Sequence, residues 1–276
     1  MEINALQLYG LTTEIADLAI IFSNFPNLKL ELNLVEEHDI KFFNEIKEKL
    51  KIEFSGVHCN FKLYESLSVE SKKQLKILAG NTLIIPTAVE ENSLVYPLSF
   101  FRRTKWLYKK IIQLIDLIKF KGLRRIVVGN EVSCGNYFHE EFWKQLALKI
   151  NRKKNEWDHI GFHNHGLEFE KLSSGQTPLD ILNKELDKDV IFQFDLTNSL
   201  ISGHFSIELL KNYIDRIKSF HFRIEGVGNE KFYEDLFLNH SKLFDKKQLV
   251  VELKENSTQE MIDRIRWWMK LVSKKS

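Results

Sequence analysis

Short apolar runs recur along the chain, and each is followed by a longer stretch with apolar residues at helical spacing. The runs read ALQLYG (5–10), LKLELNL (28–34), FSGVHCNF (54–61), RRIVVGN (124–130), HIGFHNH (159–165), VIFQFDL (190–196), IKSFHFRI (217–224) and QLVVELK (248–254). All are rich in β-branched or aromatic residues and short enough to be buried strands. The intervening pattern is helical in TTEIADLAIIFSNF (12–25), which opens on threonines suited to capping. It is helical again in RTKWLYKKIIQLIDLIKFKG (103–122), SIELLKNYIDR (206–216) and TQEMIDRIRWWMKLV (258–272). Strands alternating with helices predict parallel βα units. Eight of them in a chain of 276 residues predict an α/β fold, a single (β/α)8 TIM barrel domain spanning 1–276. A doubly wound open sheet would carry a glycine-rich turn after its first strand. That turn reads YGLTTE (9–14), with one glycine. The irregular stretch 62–99 is too long for an ordinary connection and is expected to be a functional loop or added element over the barrel mouth.

Charge narrows the function class. Forty basic and 38 acidic residues leave a net charge of +2, which gives no basic footprint for nucleic acid and no polybasic membrane anchor. No apolar run reaches the roughly 18–20 residues of a membrane span. The 103–121 stretch reads as a helix face packed on a sheet, because a membrane-surface helix would carry a broader basic face. The N-terminal stretch has Glu2 and Glu14 and no basic region ahead of an apolar one, unlike a secretory signal. Cys59 and Cys134 stand far apart, in neither a metal-ligand nor a disulfide-framework spacing. The expectation is a cytoplasmic protein that takes a small molecule rather than nucleic acid or membrane, with a homodimer left open.

The chemistry sits where the strands end. In a barrel, active sites form at the C-terminal ends of the strands. Here those ends carry Glu31 and Asn33, His58 and Asn60, His163 and His165, Asp195, His221 and Arg223, and Glu252. Side chains two apart on a strand share a face, so each pair points one way. From His165 to Asp195 to His221 to Glu252 the steps are 30, 26 and 31 residues, about one βα unit each. A carboxylate inside an apolar run is costly to bury without a partner, and a divalent cation is one effective partner. Imidazole nitrogen with carboxylate oxygen suits Zn, Mn or Fe(II). Each residue also has a plainer reading. Asp195 would cap the following helix, and Glu252 would form an ion pair with Arg223 or a lysine.

The pieces GFHNHGLEFE (161–170), FDLTNSLISGHF (194–205), SFHFRI (219–224) and VVEL (250–253) resemble the strand-five to strand-eight signatures of the xylose isomerase-like TIM barrels. These are the sugar isomerases and epimerases, inosose dehydratase-like proteins and endonuclease IV. LELNL (30–34) and SGVHCNF (55–61) resemble the strand-two and strand-three pieces. The resemblance implies one divalent metal (Mn, Zn, Mg or Fe) held by Asp195, His221 and Glu252. On strand five it aligns His163 with the usual glutamate ligand, and His165 and Glu168 are the other candidates there. It further implies proton transfer next to the carbonyl of a carbohydrate or polyol, with an enediolate stabilised by the metal. Glu252 is the implied base, with Glu168, His163 or His165 as its partner. His165, Arg223, Asn198, His58 and Glu31 are the implied substrate contacts.

Two departures stand out. Relatives commonly have Asp-x-x-His after strand six, where this chain has Asp195-Leu-Thr-Asn198, and His-x-Lys-Asp after strand seven, where it has His221-Phe-Arg223-Ile224. They leave room for a second reading, a divergent, non-catalytic sugar-binding barrel with Asp195 or Glu252 turned into ion pairs. A third, an endonuclease IV-like nuclease, needs more histidines and the missing Asp-x-x-His element. The string HNH lies on a strand and lacks the ββα setting of the nuclease motif of that name.

Overall fold

The apolar runs form strands because alternate residues can be buried on both faces, against helices outside and a filled barrel inside. The computed structural model describes residues 3–8, 14–80, 82–86, 139–223, 229–253 and 257–273. Its strands are β1 Ala5–Leu8, β2 Lys29–Leu34, β3 Phe54–Cys59, β4 Thr82–Pro86, β5 His159–His163, β6 Ile191–Asp195, β7 Ile217–Phe222 and β8 Gln248–Leu253. They pair in parallel in chain order, and β8 pairs with β1 to close an eight-stranded barrel. The TIM barrel expectation is met.

Around it lie the helices α1 Ile15–Asn24, α2 Asp39–Leu50, α3 Phe61–Ser66, α4 Val69–Leu78, α5 Glu140–Lys153, α6 Pro178–Glu185, α7 Leu196–Ile201, α8 Ile207–Tyr213, α9 Asn229–His240 and α10 Thr258–Ser273. Local signals set their ends. Thr177 and Asp180 form a reciprocal capping box at α6, with Pro178 in the first turn. Ser206 caps α8. In α10, Met261, Ile262, Ile265, Trp268, Leu271 and Val272 make one buried stripe, and Trp268 lies 5.5 Å from the Phe222 ring of β7. Among the described residues no helix is long and apolar enough to cross a membrane.

Strand four differs from expectation. It is Thr82–Pro86, and the barrel closes with it. RRIVVGN (124–130), read as that strand, lies outside the described residues, as does the helical pattern at 103–122. Within the stretch 62–99, the described residues 62–80 and 82–86 are likewise more regular than expected, since they contain most of α3, all of α4, and β4. TLIIP ends in a proline, which ordinarily breaks a strand; Pro86 sits at the last position, where a missing N–H is tolerated. β3 and β5 also end two residues sooner than their runs suggest, so His165 lies beyond the strand. The N-cap of α1 is Glu14, without a side-chain capping bond, rather than a threonine.

The barrel interior is narrow at the level of Gly161. A Cβ there would stand 2.5 Å from Ile84 Cδ1 and 3.2 Å from the Ile191 carbonyl oxygen. Above this level the inward positions become polar. The register sets Gln7 beside both Glu31 and Glu252, His163 beside Gln193, and Asp195 beside His221. A polar layer thus crowns the apolar floor at the C-terminal ends of the strands.

Candidate metal centre and active site

Asp195 is the pivot of this layer. It ends β6 and begins α7, and it is fully buried. Its Oδ1 accepts the Asn198 N–H at 2.7 Å, capping the helix. Its Oδ2 accepts from Asn198 Nδ2 at 2.8 Å. The same Oδ2 faces His163 Nε2 and His221 Nδ1, each at 3.5 Å. The backbone of Asp195 is tied to β5 by Asn164, whose Oδ1 accepts the Asp195 N–H at 2.9 Å and whose Nδ2 donates to its carbonyl at 3.3 Å.

A second chain of contacts runs deeper. Gln193, two residues before Asp195 and therefore on the same face of β6, donates through Nε2 to Glu31 Oε2 at 3.0 Å. A carboxylate only accepts, so the amide orientation is fixed and Oε1 faces His163 Nδ1 at 2.8 Å. His163 Nδ1 therefore donates to that oxygen, and its Nε2 points toward Asp195. Glu31 also lies 3.0 Å from His58 Nε2 and 4.0 Å from His221 Nε2.

The charges follow from these contacts. Burial alone would raise the Asp195 pKa, but His163 and His221 outweigh it and hold the carboxyl well below its usual range. Glu31 is also lowered: burial works against ionisation, and His58, His221 and Gln193 overcome it. Burial pushes His163 down, and its contact with Asp195 opposes this only in part. His165 is pushed well down by burial and by His163. His221 goes the other way. Burial disfavours its cation, but Asp195, Glu252 and Glu31 together raise it.

These residues fit a divalent ion. Single ligand atoms from His163, Asp195 and His221 lie within 4.8 Å of one another, as do those from Glu31, His58 and His221. Tetrahedral ligands with bonds of about 2.0–2.1 Å stand roughly 3.4 Å apart, close to the two 3.5 Å separations at Asp195. His163 Nε2 and Asp195 Oδ2 face each other there. Neither ring nitrogen of buried His221 makes a hydrogen bond among the described residues. Glu252 Oε2 lies 3.7 Å from His221 Nδ1 and reaches the same corner. It is also 3.3 Å from Arg223 Nη1.

The sequence-predicted residues thus divide. Asp195, His221, His163, Glu252, Arg223, Asn198, Glu31 and His58 come together. His165 stands beside His163 with ring centroids 5.1 Å apart. Glu168 is buried and accepts the His165 N–H at 3.0 Å; it lies on a 3-10 turn after β5. Asn60 serves elsewhere, as the N-cap of α3. Both plainer readings also hold, since Asp195 does cap α7 and Glu252 does pair with Arg223.

No protein-family model matches the sequence, and no curated protein does either. Solved structures do match. A sugar phosphate isomerase/epimerase from Parabacteroides distasonis superposes with a TM-score of 0.60 at 14% identity, over 99% of this chain and 94% of that one. A second from the same organism gives 0.57 at 15%, over 97% and 96%. The 3-keto-D-glucoside 4-epimerase of E. coli gives 0.58 at 10%, over 98% and 99%. The chain has the fold of the sugar phosphate isomerase/epimerase barrels. At these identities the likeness shows the fold alone, so the chemistry rests on the residues just described.

Several residues of this fold's polar layer escaped the sequence reading. Gln193 was legible in principle, as a polar residue two before Asp195 in an apolar run. Asn164 stands between His163 and His165, and only the tertiary contact shows that it ties the end of β5 to β6. Thr197 and Tyr233, whose oxygens lie 2.6 Å apart beside the Arg223 backbone, had no signal beyond ordinary helix residues.

Proposed function

We propose that the chain is a metal-dependent isomerase or epimerase that moves a proton next to the carbonyl of a sugar or polyol. The observation that carries this reading is the convergence of His163 Nε2, His221 Nδ1 and Asp195 Oδ2 at 3.5 Å contacts. His163, Asp195 and His221 would hold the ion, with Glu252 alongside. A divalent ion bound there supplies Lewis acidity toward the substrate's carbonyl and hydroxyl oxygens. The chain's own residues do the rest. Gln193 holds the His163 tautomer. Asn198 and the α7 N-terminus fix the Asp195 rotamer. Glu252 takes the α-proton as general base, and Glu168 returns it or receives it in the opposite sense. His58, His165 and Asn198 meet substrate hydroxyls. The names of the structural neighbours favour a carbohydrate.

A divergent, non-catalytic sugar-binding barrel is the second reading, favoured by the Arg223 contact with Glu252. One experiment separates the two. Purified protein is supplied with Mn²⁺ or Zn²⁺ and analysed for metal, beside Asp195→Ala and His221→Ala. Exchange of substrate α-hydrogen with deuterated water is then followed by mass spectrometry over a panel of ketoses and keto-inositols. Bound metal lost in both variants, with deuterium uptake in wild type alone, supports the enzyme. Sugar binding without exchange favours the second reading. Absence of metal from wild type after loading refutes the metal centre.

A further inference from the structure

Arg223 follows directly after β7, and its position is over-determined. Its N–H donates to Thr197 Oγ1 at 2.8 Å, and its carbonyl accepts from the Tyr233 hydroxyl at 3.2 Å. At the other end of the side chain, Nη2 donates to Asn198 Oδ1 at 2.8 Å. Asn198 is itself anchored, since its Nδ2 donates to Asp195 Oδ2 at 2.8 Å and to the Asn164 carbonyl at 3.2 Å. The guanidinium is therefore held in place rather than extended into solvent, with 15% of the side chain exposed. From there Nη1 reaches Glu252 Oε2 at 3.3 Å and stands 3.6 Å from Asp195 Oδ2. These are the two carboxylate oxygens that also face His221.

We propose that Arg223 is a built-in counter-cation that competes with a divalent ion for Asp195 and Glu252, and so holds the affinity of the site for free metal down. This rests on the metal-centre reading above. An ion bonded to Asp195 Oδ2 at about 2.0–2.2 Å would stand within about 6 Å of Nη1. Both charges are positive, and the guanidinium cannot shed its own because arginine stays protonated in proteins. Asn198 fits this arrangement. It accepts one guanidinium hydrogen bond and donates to Asp195 without adding charge, whereas a protonated histidine there would repel Arg223. The competition is for the same oxygens, so metal entry requires Glu252 to exchange one cation for another.

The test is metal affinity, independent of turnover. Wild type, Arg223→Gln, Arg223→Met and Arg223→Lys are stripped with chelator and titrated with Mn²⁺ and Zn²⁺ by calorimetry. Thermal melts of the stripped and loaded forms run in parallel. The two neutral variants are expected to bind at least about tenfold more tightly than wild type, which corresponds to about 1.4 kcal/mol. The lysine variant is expected to stay within about threefold of wild type, since it keeps the charge. Stripped neutral variants should melt lower than wild type and gain more on loading, because their carboxylates have lost a partner that the ion replaces. Whichever neutral variant folds decides the matter. Affinity equal to or weaker than wild type overturns the competition and leaves the metal centre standing. Failure of wild type and neutral variants alike to bind millimolar Mn²⁺ or Zn²⁺ overturns both.

Discussion

Replacing Gln193 by leucine removes the link between the two halves of the polar layer while keeping the side-chain volume. Gln193 Nε2 donates to Glu31 at 3.0 Å, and its Oε1 accepts the hydrogen bond from His163 Nδ1 at 2.8 Å. Hydrogen bonds to a charged group contribute about 1.5–3 kcal/mol and neutral ones about 1 kcal/mol. Both partners remain buried in the variant, so their lost hydrogen bonds are not recovered from water. The expected loss is therefore roughly 3–4 kcal/mol, against a total stability of about 5–15 kcal/mol for a folded domain. At roughly 2–4 °C per kcal/mol for chains of this size, the melting temperature should fall by about 6–16 °C. Differential scanning fluorimetry at neutral pH, with far-UV circular dichroism to confirm the folded baseline, measures it. If the network is as described, metal affinity should fall as well, because His163 loses the acceptor that fixes its tautomer. A fall of less than about 2 °C would refute the reasoning, since it would mean that Glu31 and His163 do not depend on Gln193.

Other perturbations probe separate parts of the structure. His165 is lowered well below its usual pKa by burial, so the unfolded chain takes up a proton first as pH falls through about 6.5; stability tied to His165 is present above that pH and lost below it. His165→Gln should flatten the decline in melting temperature between about pH 6.5 and 5, and an unchanged slope would contradict the shift. Burial pushes the Cys59 thiol up to about 12; at about pH 8 iodoacetamide should leave it unmodified in the native protein and alkylate it in urea, as peptide mass spectrometry reads site by site. Gly161→Ala should cost about 1–3 kcal/mol through overpacking against Ile84 and the Ile191 carbonyl, with part of the loss recovered by Ile84→Val in the double variant. Equal melting temperatures for the single and double variants would show that the Ile191 carbonyl, rather than Ile84, sets the limit.

The fold was legible wherever hydrophobic period and strand length coincided. Seven of the eight expected runs overlap barrel strands, because a parallel strand buried on both faces must be continuously apolar. β4 is hard to read because TLIIP is short, ends in proline and lies within the irregular stretch 62–99. The site was legible to the extent that period two puts residues on one face: His221 and Asp195, Glu31 and His58 all point inward from different strands and converge. What period cannot convey is distance across the barrel. Gln193 meets Glu31 at a sequence separation of 162 residues, and only closure of the sheet brings them together. Nor does any local pattern indicate that Thr197 and Tyr233 hold the Arg223 backbone.

Asp195 shows why the plain and the functional readings of a residue need not exclude each other. Its two oxygens are divided. Oδ1 is spent on the Asn198 N–H as a helix cap, while Oδ2 faces His163, His221 and Arg223. The cap and the short helix behind it immobilise the carboxylate, which is what a preorganised ligand requires. Glu252 differs. Its Oε2 contacts Arg223 more closely than His221, so as a ligand or a base it must first part from a cation. Asn198 and Arg223, two positions at which the sequence departs from the pattern it resembles, thus meet at one corner of the site. Under the proposed mechanism, activity turns on how readily Glu252 leaves that corner. The His163–Gln193–Glu31 side serves both readings equally.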